Sequence, residues 1–246
     1  MNRVRSWLKP LRQRVGWATF VPYFYWSMTY LLRAILVVVA RWKVTGREHV
    51  PKSGAVIVVS NHLSNADPPI LGAGIASRRV RYMAKIELFS MPVGIITRLW
   101  GAFPVRRFDA DLAAMLNAER ILKRGEVLGM FPEGTRSRTG VMAKPHPGTA
   151  LIALRSGAIV LPCALTGTEV LLSKPWRLLT KPRVTVTIGA PIQVASVRRP
   201  SEEQVSELTE RIYRTISNLL PPAYVPAYTE NRDEVGHSDG DNPASE

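Results

Sequence analysis

Ala55-Val56-Ile57-Val58-Val59-Ser60-Asn61-His62-Leu63-Ser64-Asn65-Ala66-Asp67-Pro68-Pro69 is the stretch that decides the fold. Its first six residues, Ala55 to Ser60, are dominated by Val and Ile, the mark of a short strand covered on both faces. The run ends at Asn61-His62, which puts an imidazole at the mouth of a buried strand. Asp67-Pro68-Pro69 then reads as a helix start, with Asp67 at the cap and Pro68 in the first turn.

The same rhythm continues outward. Val80 to Ala84, Val127 to Phe131, Ala158 to Ala164 and Val184 to Ile188 are short Val- and Ile-rich runs bounded by Gly, Pro or polar residues. Asp111 to Lys123 carries apolar residues at helical spacing and stops at Gly125. Ser201-Glu202-Glu203-Gln204 is a capping-box pattern opening a helix to Leu220, with Val205, Leu208, Ile212, Ile216 and Leu219 on one face. Strands alternating with helices predict an α/β chain: a single αβ sandwich around a mixed, mostly parallel sheet. Three regions are expected: N-terminal membrane-binding helices over 1–42, a catalytic domain over 43–220, and an acidic disordered tail over 221–246.

The chain has 246 residues, a net charge of +14, and 46% hydrophobic against 21% charged residues, which excludes wholesale disorder. No acidic residue precedes Glu48, whereas Arg3, Arg5, Lys9, Arg12, Arg14, Arg33, Arg41, Lys43 and Arg47 do. This basic field adjoins the charge-free, aromatic-rich stretch Val15 to Leu32, and no nucleic-acid-binding motif accompanies it. Anionic membrane lipid is therefore the expected partner rather than nucleic acid. The apolar stretch is too long for a signal peptide and lacks a cleavage site. Pro22 and Arg33 count against a simple spanning helix. Two helices lying in one leaflet are expected instead, a basic one from about Arg3 to Arg14 and an apolar one starting near Pro22.

Two blocks carry the chemistry. In the first, the Asp67 carboxylate can fold back onto one nitrogen of His62 and fix its tautomer, leaving the other nitrogen free to take a proton. That is the base half of a hydrolase triad with the nucleophile missing, a place that a substrate alcohol can fill. In the second, Phe131-Pro132-Glu133-Gly134-Thr135-Arg136-Ser137, Gly134 lets amides approach an anion, Thr135 donates and Arg136 can grip phosphate through two parallel bonds. Lys85 and Arg107 follow two further apolar runs, so four successive strand ends bring one base and three cations. His49, His146 and His237 have no metal-ligand spacing, and no P-loop or dinucleotide fingerprint occurs. Cys163, the only cysteine, lies in an apolar run and reads as a buried small hydrophobe rather than a nucleophile.

The order NHxxxxD, G-x-x-P-V-x-R, FPEGTRS and Val160-Leu161-Pro162 resembles the four blocks of the glycerolipid acyltransferase superfamily, in particular its bacterial 1-acyl-sn-glycerol-3-phosphate acyltransferases. The likeness runs from about Val44 to Pro191. It implies that His62 and Asp67 are the catalytic dyad, and that Lys85, Arg107, Glu133, Gly134, Thr135 and Arg136 bind the acceptor phosphate. It also implies an N-terminal two-helix membrane motif and acyl transfer from acyl-CoA or acyl carrier protein to lysophosphatidate, without metal or cofactor. Acyl thioesters of this kind are cytoplasmic, so a monotopic or peripheral enzyme of the cell membrane is expected, its site facing the cytoplasm. Pro104-Val105-Arg106, Lys144-Pro145-His146-Pro147-Gly148 and Cys163 depart from the usual pattern without touching the dyad. Three alternatives stand beside this reading: another acceptor (a different lysophospholipid, a lyso-aminolipid or a glycolipid), a non-catalytic membrane-binding protein, and a thioesterase.

Overall fold

The computed structural model describes residues 15–90, 94–105, 112–173 and 180–226. Within them, strands β1 (Arg41–Thr45), β2 (Val56–Ser60), β3 (Val80–Lys85), β4 (Phe103–Val105), β5 (Val127–Met130), β6 (Ile159–Thr166) and β7 (Arg183–Ile188) form one sheet. The order is β1-β7-β6-β2-β5-β3-β4. Every neighbouring pair is parallel except β6 and β7. The sheet is thus mixed and mostly parallel, as expected. Parallel neighbours need crossovers, and helices supply them: α2 (Asp67–Ile75), α4 (Leu112–Lys123) and α5 (Gly148–Ser156).

β2 sits in the middle and is buried at every position. Its odd residues Ile57 and Val59 face a core shared with α4, α5 and α7 (Glu202–Leu219), whose Ile121, Ala153, Ile212 and Ile216 lie in it. Its even residues Val56 and Val58 face a second core with Ile70, Leu71 and Ile75 of α2 and with Leu36 of α1 (Val15–Val39). The result is three layers with the sheet between. Ser201 caps α7 through the Gln204 amide, and the Gln204 side chain returns the bond, so the capping box forms.

The apolar N-terminal helix differs from its expected form. It starts at Val15 and runs through Pro22. A proline removes one helical bond and crowds the carbonyl four residues back. A nucleated helix nevertheless gains a bond with each added residue, and the charge-free stretch upstream sustains it. The proposed basic helix over Arg3 to Arg14 lies outside the described residues. Tyr25 and Leu36 of α1, and Ala40 just after it, are buried against the domain, and the Tyr25 hydroxyl accepts the Val80 N–H at 3.1 Å. The opposite face presents Tyr23, Tyr30, Leu31, Ile35, Val37 and Val38 outward. Val21–Val39 is long and apolar enough to cross a membrane.

The boundary of the tail also moves. Pro222–Tyr224 forms a short 3-10 turn. The Tyr224 hydroxyl donates to Glu169 Oε1 (3.0 Å) and accepts the Gly167 N–H (3.2 Å), while its carbonyl accepts the Met142 N–H (2.8 Å). Tyr224 and Val225 pack on the first core. One tyrosine with polar and apolar partners holds a segment whose Pro-rich composition alone suggests disorder. Residues 227–246 lie outside the described residues.

Candidate active site

β2, β5, β3 and β4 stand side by side and parallel, so their carboxyl ends form one edge. This edge collects His62 from β2, the Glu133 turn from β5 and Lys85 from β3. Arg107, expected from the end of β4, lies outside the described residues.

At the end of β2, His62 Nδ1–H donates to Asp67 Oδ2 at 2.8 Å. The same oxygen accepts the N–H groups of Leu63 (2.6 Å) and Ser64 (2.7 Å). Ala66 occupies the N-cap position and Asp67 the first helical one. The carboxylate therefore does not cap α2 as expected; it binds the 62–64 loop and the imidazole together. Both residues are buried. With Nδ1 committed, Nε2 is the nitrogen left to act as base.

A ring ladder sets the plane of the imidazole. Phe131 stacks on His62 at 4.1 Å with a 20° tilt, and Tyr82 stacks on Phe131 at 6.2 Å. Tyr82 pairs with Gly129 across β3 and β5. A Cβ on Gly129 would meet the Tyr82 ring at 2.2 Å, so glycine opens the space the ladder occupies. Sequence reading singled out neither Phe131 as a support nor Gly129 as its condition. The pairing of Gly129 with an aromatic requires the register, which the sequence does not display.

Glu133 behaves differently from its expected role. Its carboxylate is buried, with Oε1 accepting the His62 N–H and Oε2 the Ala143 N–H, both at 2.8 Å. Burial pushes the carboxyl up to about 7, against the pull of these two amides. In addition, the Ser137 N–H donates to the His62 carbonyl at 2.7 Å. Glu133 and Ser137 thus fasten the turn after β5 to the backbone of His62, and the Glu133 oxygens are occupied by the protein itself. Asn61 completes the frame: its amide exchanges two bonds with the Leu165 backbone, at 2.8 and 2.9 Å, tying β2 to β6.

The cationic residues are presented outward. Thr135 and Arg136 are exposed on the turn, and Gly134 takes a left-handed φ of 66°. A Cβ on Gly134 would meet the His146 ring at 3.0 Å. Lys85 is exposed, with Nζ 3.4 Å from Glu87 Oε1. Arg136 makes no ion pair among the described residues, so its exposed guanidinium is available to an anion. Burial pushes the Cys163 thiol up, in keeping with a core residue. Among the described residues no group of three His, Cys, Asp or Glu could hold a metal ion.

This geometry pairs an oriented base with exposed cations on neighbouring strand ends, and the sequence that builds it is similar to those of known proteins. The sequence model of a protein family described as Acyltransferase matches residues 41–166, from β1 to the end of β6. The 1-acyl-sn-glycerol-3-phosphate acyltransferase of Bacillus subtilis (strain 168) is 31% identical over 190 residues, covering 76% of this chain and 92% of that protein. The protein of the same name from Streptococcus pneumoniae is 28% identical over 193 residues, covering 75% and 70%. Among solved structures, the 1-acyl-sn-glycerophosphate (LPA) acyltransferase PlsC from Thermotoga maritima superposes with a TM-score of 0.65. It is 27% identical, and the match covers 86% of each chain.

Proposed function

The chain belongs to the acyltransferase family, and from that premise we propose that it moves a fatty acyl group from an acyl thioester to the free hydroxyl of lysophosphatidate, giving phosphatidate. The observation that carries the reading is the buried His62–Asp67 pair, with exposed Arg136 preceding the Ser137 whose N–H bonds the His62 carbonyl. His62 Nε2 takes the proton of the acceptor hydroxyl as its oxygen attacks the thioester carbonyl. Asp67 stabilises the imidazolium that results. Collapse of the tetrahedral intermediate breaks the C–S bond, and the departing thiolate takes the proton back. Base catalysis of this kind contributes about 10²–10⁴-fold. The step needs only the two substrates, with coenzyme A or acyl carrier protein as the thiol.

In this reading Arg136, Thr135, Gly134 and Lys85 hold the acceptor phosphate, and Glu133 holds the turn that presents them. A thioesterase would have no use for phosphate-binding groups, and a scaffold would have none for an oriented base. The outward face of α1 would lie in an anionic leaflet, with the site on the cytoplasmic side where acyl thioesters are made.

The test is purified protein with labelled acyl-CoA or acyl carrier protein against a panel of lysolipids. Labelled phosphatidate should dominate. Preferred acylation of an acceptor without a phosphate monoester would transfer the reading to that acceptor.

A further inference from the structure

Among the described residues outside α1, large exposed apolar side chains lie in two places: Leu112 and Leu116 on α4, and Ile86, Ile95 and Ile96 just past the end of β3. Ile86 directly follows Lys85, the last residue of β3, and is 42% exposed. Helix α3 (Gly94–Leu99) presents Ile95 and Ile96 at 66% and 53% exposure. α3 packs against α1, and Trp100 meets Tyr25 of α1 edge to face at 6.4 Å. α3 thus lies beside α1, and its isoleucines and Ile86 form an exposed apolar patch next to Lys85 at the carboxyl end of β3. Neither α1 nor α3 contains an acidic residue. Each instead sets a cation against an aromatic: Arg33 over Tyr30 at 5.8 Å, and Arg98 over Phe89 at 5.1 Å. Apolar side chains flanked by arginines on a chain of net charge +14 suit the boundary of an anionic lipid surface.

We propose that Ile86, Ile95 and Ile96 enter the same anionic leaflet as the outer face of α1, forming a second membrane contact at the rim of the active site. The inference rests on the membrane reading of α1 and adds to it a site mouth that rests on the bilayer.

The natural chain offers a clean probe, because its only cysteine, Cys163, is fully buried. Ile96→Cys in the full chain is labelled with an environment-sensitive fluorophore and mixed with phosphatidylglycerol–phosphatidylethanolamine vesicles. Val37→Cys reports on α1, and Lys123→Cys on α4 serves as the aqueous reference. The expected result is a blue shift at positions 96 and 37, quenched by nitroxide-labelled lipid, with none at 123. In parallel, Ile95→Glu/Ile96→Glu should weaken vesicle partitioning by about tenfold or more. A shift at 37 without one at 96 would confine the contact to α1 and overturn the proposal; no shift at either site would overturn it along with the membrane reading. A shift that needs no vesicles and grows with protein concentration would give the patch to a second copy of the chain, again overturning it. Fluorescence reads binding alone, so the result is separable from the acceptor assay.

Discussion

Glu133→Ala separates a residue that fastens the site from one that touches the substrate. Both carboxylate oxygens accept buried backbone N–H groups, from His62 and Ala143. Alanine removes both acceptors at once. A buried donor without a partner costs about 1–3 kcal/mol, so the pair should cost about 4 kcal/mol at pH 5. In a chain of this length that lowers Tm by roughly 8–16 °C. The pH dependence follows from burial, which raises the carboxyl from 4.5 to about 7. Between these values the folded protein keeps a proton that the unfolded chain releases. The wild type therefore loses stability as pH rises through this window, by an amount on the order of 3 kcal/mol. Alanine has no such slope, so the Tm gap should narrow from pH 5 to pH 8, as read by calorimetry. In steady-state kinetics kcat should fall about 10²-fold, because the backbone of His62 loses its anchor, while KM for the acceptor changes by less than about threefold. A normal Tm with a raised acceptor KM would refute the reasoning and return Glu133 to the phosphate site.

Phe131→Leu keeps apolar bulk but removes the ring that stacks on His62, so kcat should fall about tenfold and its pH profile should shift, with little change in either KM. An unchanged profile would leave the ladder without a catalytic role. Arg136→Ala should raise KM for lysophosphatidate about tenfold or more and leave KM for the acyl donor alone, since each charge-assisted bond contributes about 1.5–3 kcal/mol. Arg136→Lys should rescue only in part, because an ammonium lacks the planar fork; equal damage with unphosphorylated acceptors would remove Arg136 from the phosphate site. Ending the chain at Pro226 should leave Tm unchanged, whereas ending it at Pro222 removes Tyr224 and its three hydrogen bonds to Gly167, Glu169 and Met142 and should cost about 3 kcal/mol. Equal Tm values for the two truncations would dissolve the latch.

Much of this arrangement is legible in the sequence because it is local. The β2 run, the five-residue reach from His62 to Asp67 and the capping box of α7 each depend on near neighbours, and each forms. What escaped is set by long-range contacts. β1 is a short edge strand in which Arg41, Lys43 and Thr45 alternate with Trp42 and Val44, and only pairing with β7 makes it a strand. Glu133 looks like part of an anion-binding turn until the alignment of β2 beside β5 places the His62 amide against it. Tyr224 lies among prolines, and its partners are 55 and 57 residues away in sequence. The position of Asp67 before Pro68 suggests a cap, whereas the tight 62–64 loop offers it better donors.

The central claim is that His62 activates the acceptor hydroxyl directly. It is tested most directly by single-turnover transfer from labelled acyl-CoA to lysophosphatidate, comparing the wild type with His62→Ala under conditions where both are folded and vesicle-bound. The wild type should yield labelled phosphatidate, and the variant should do so at a rate at least about 10²-fold lower. A variant that forms phosphatidate at nearly the normal rate would contradict it.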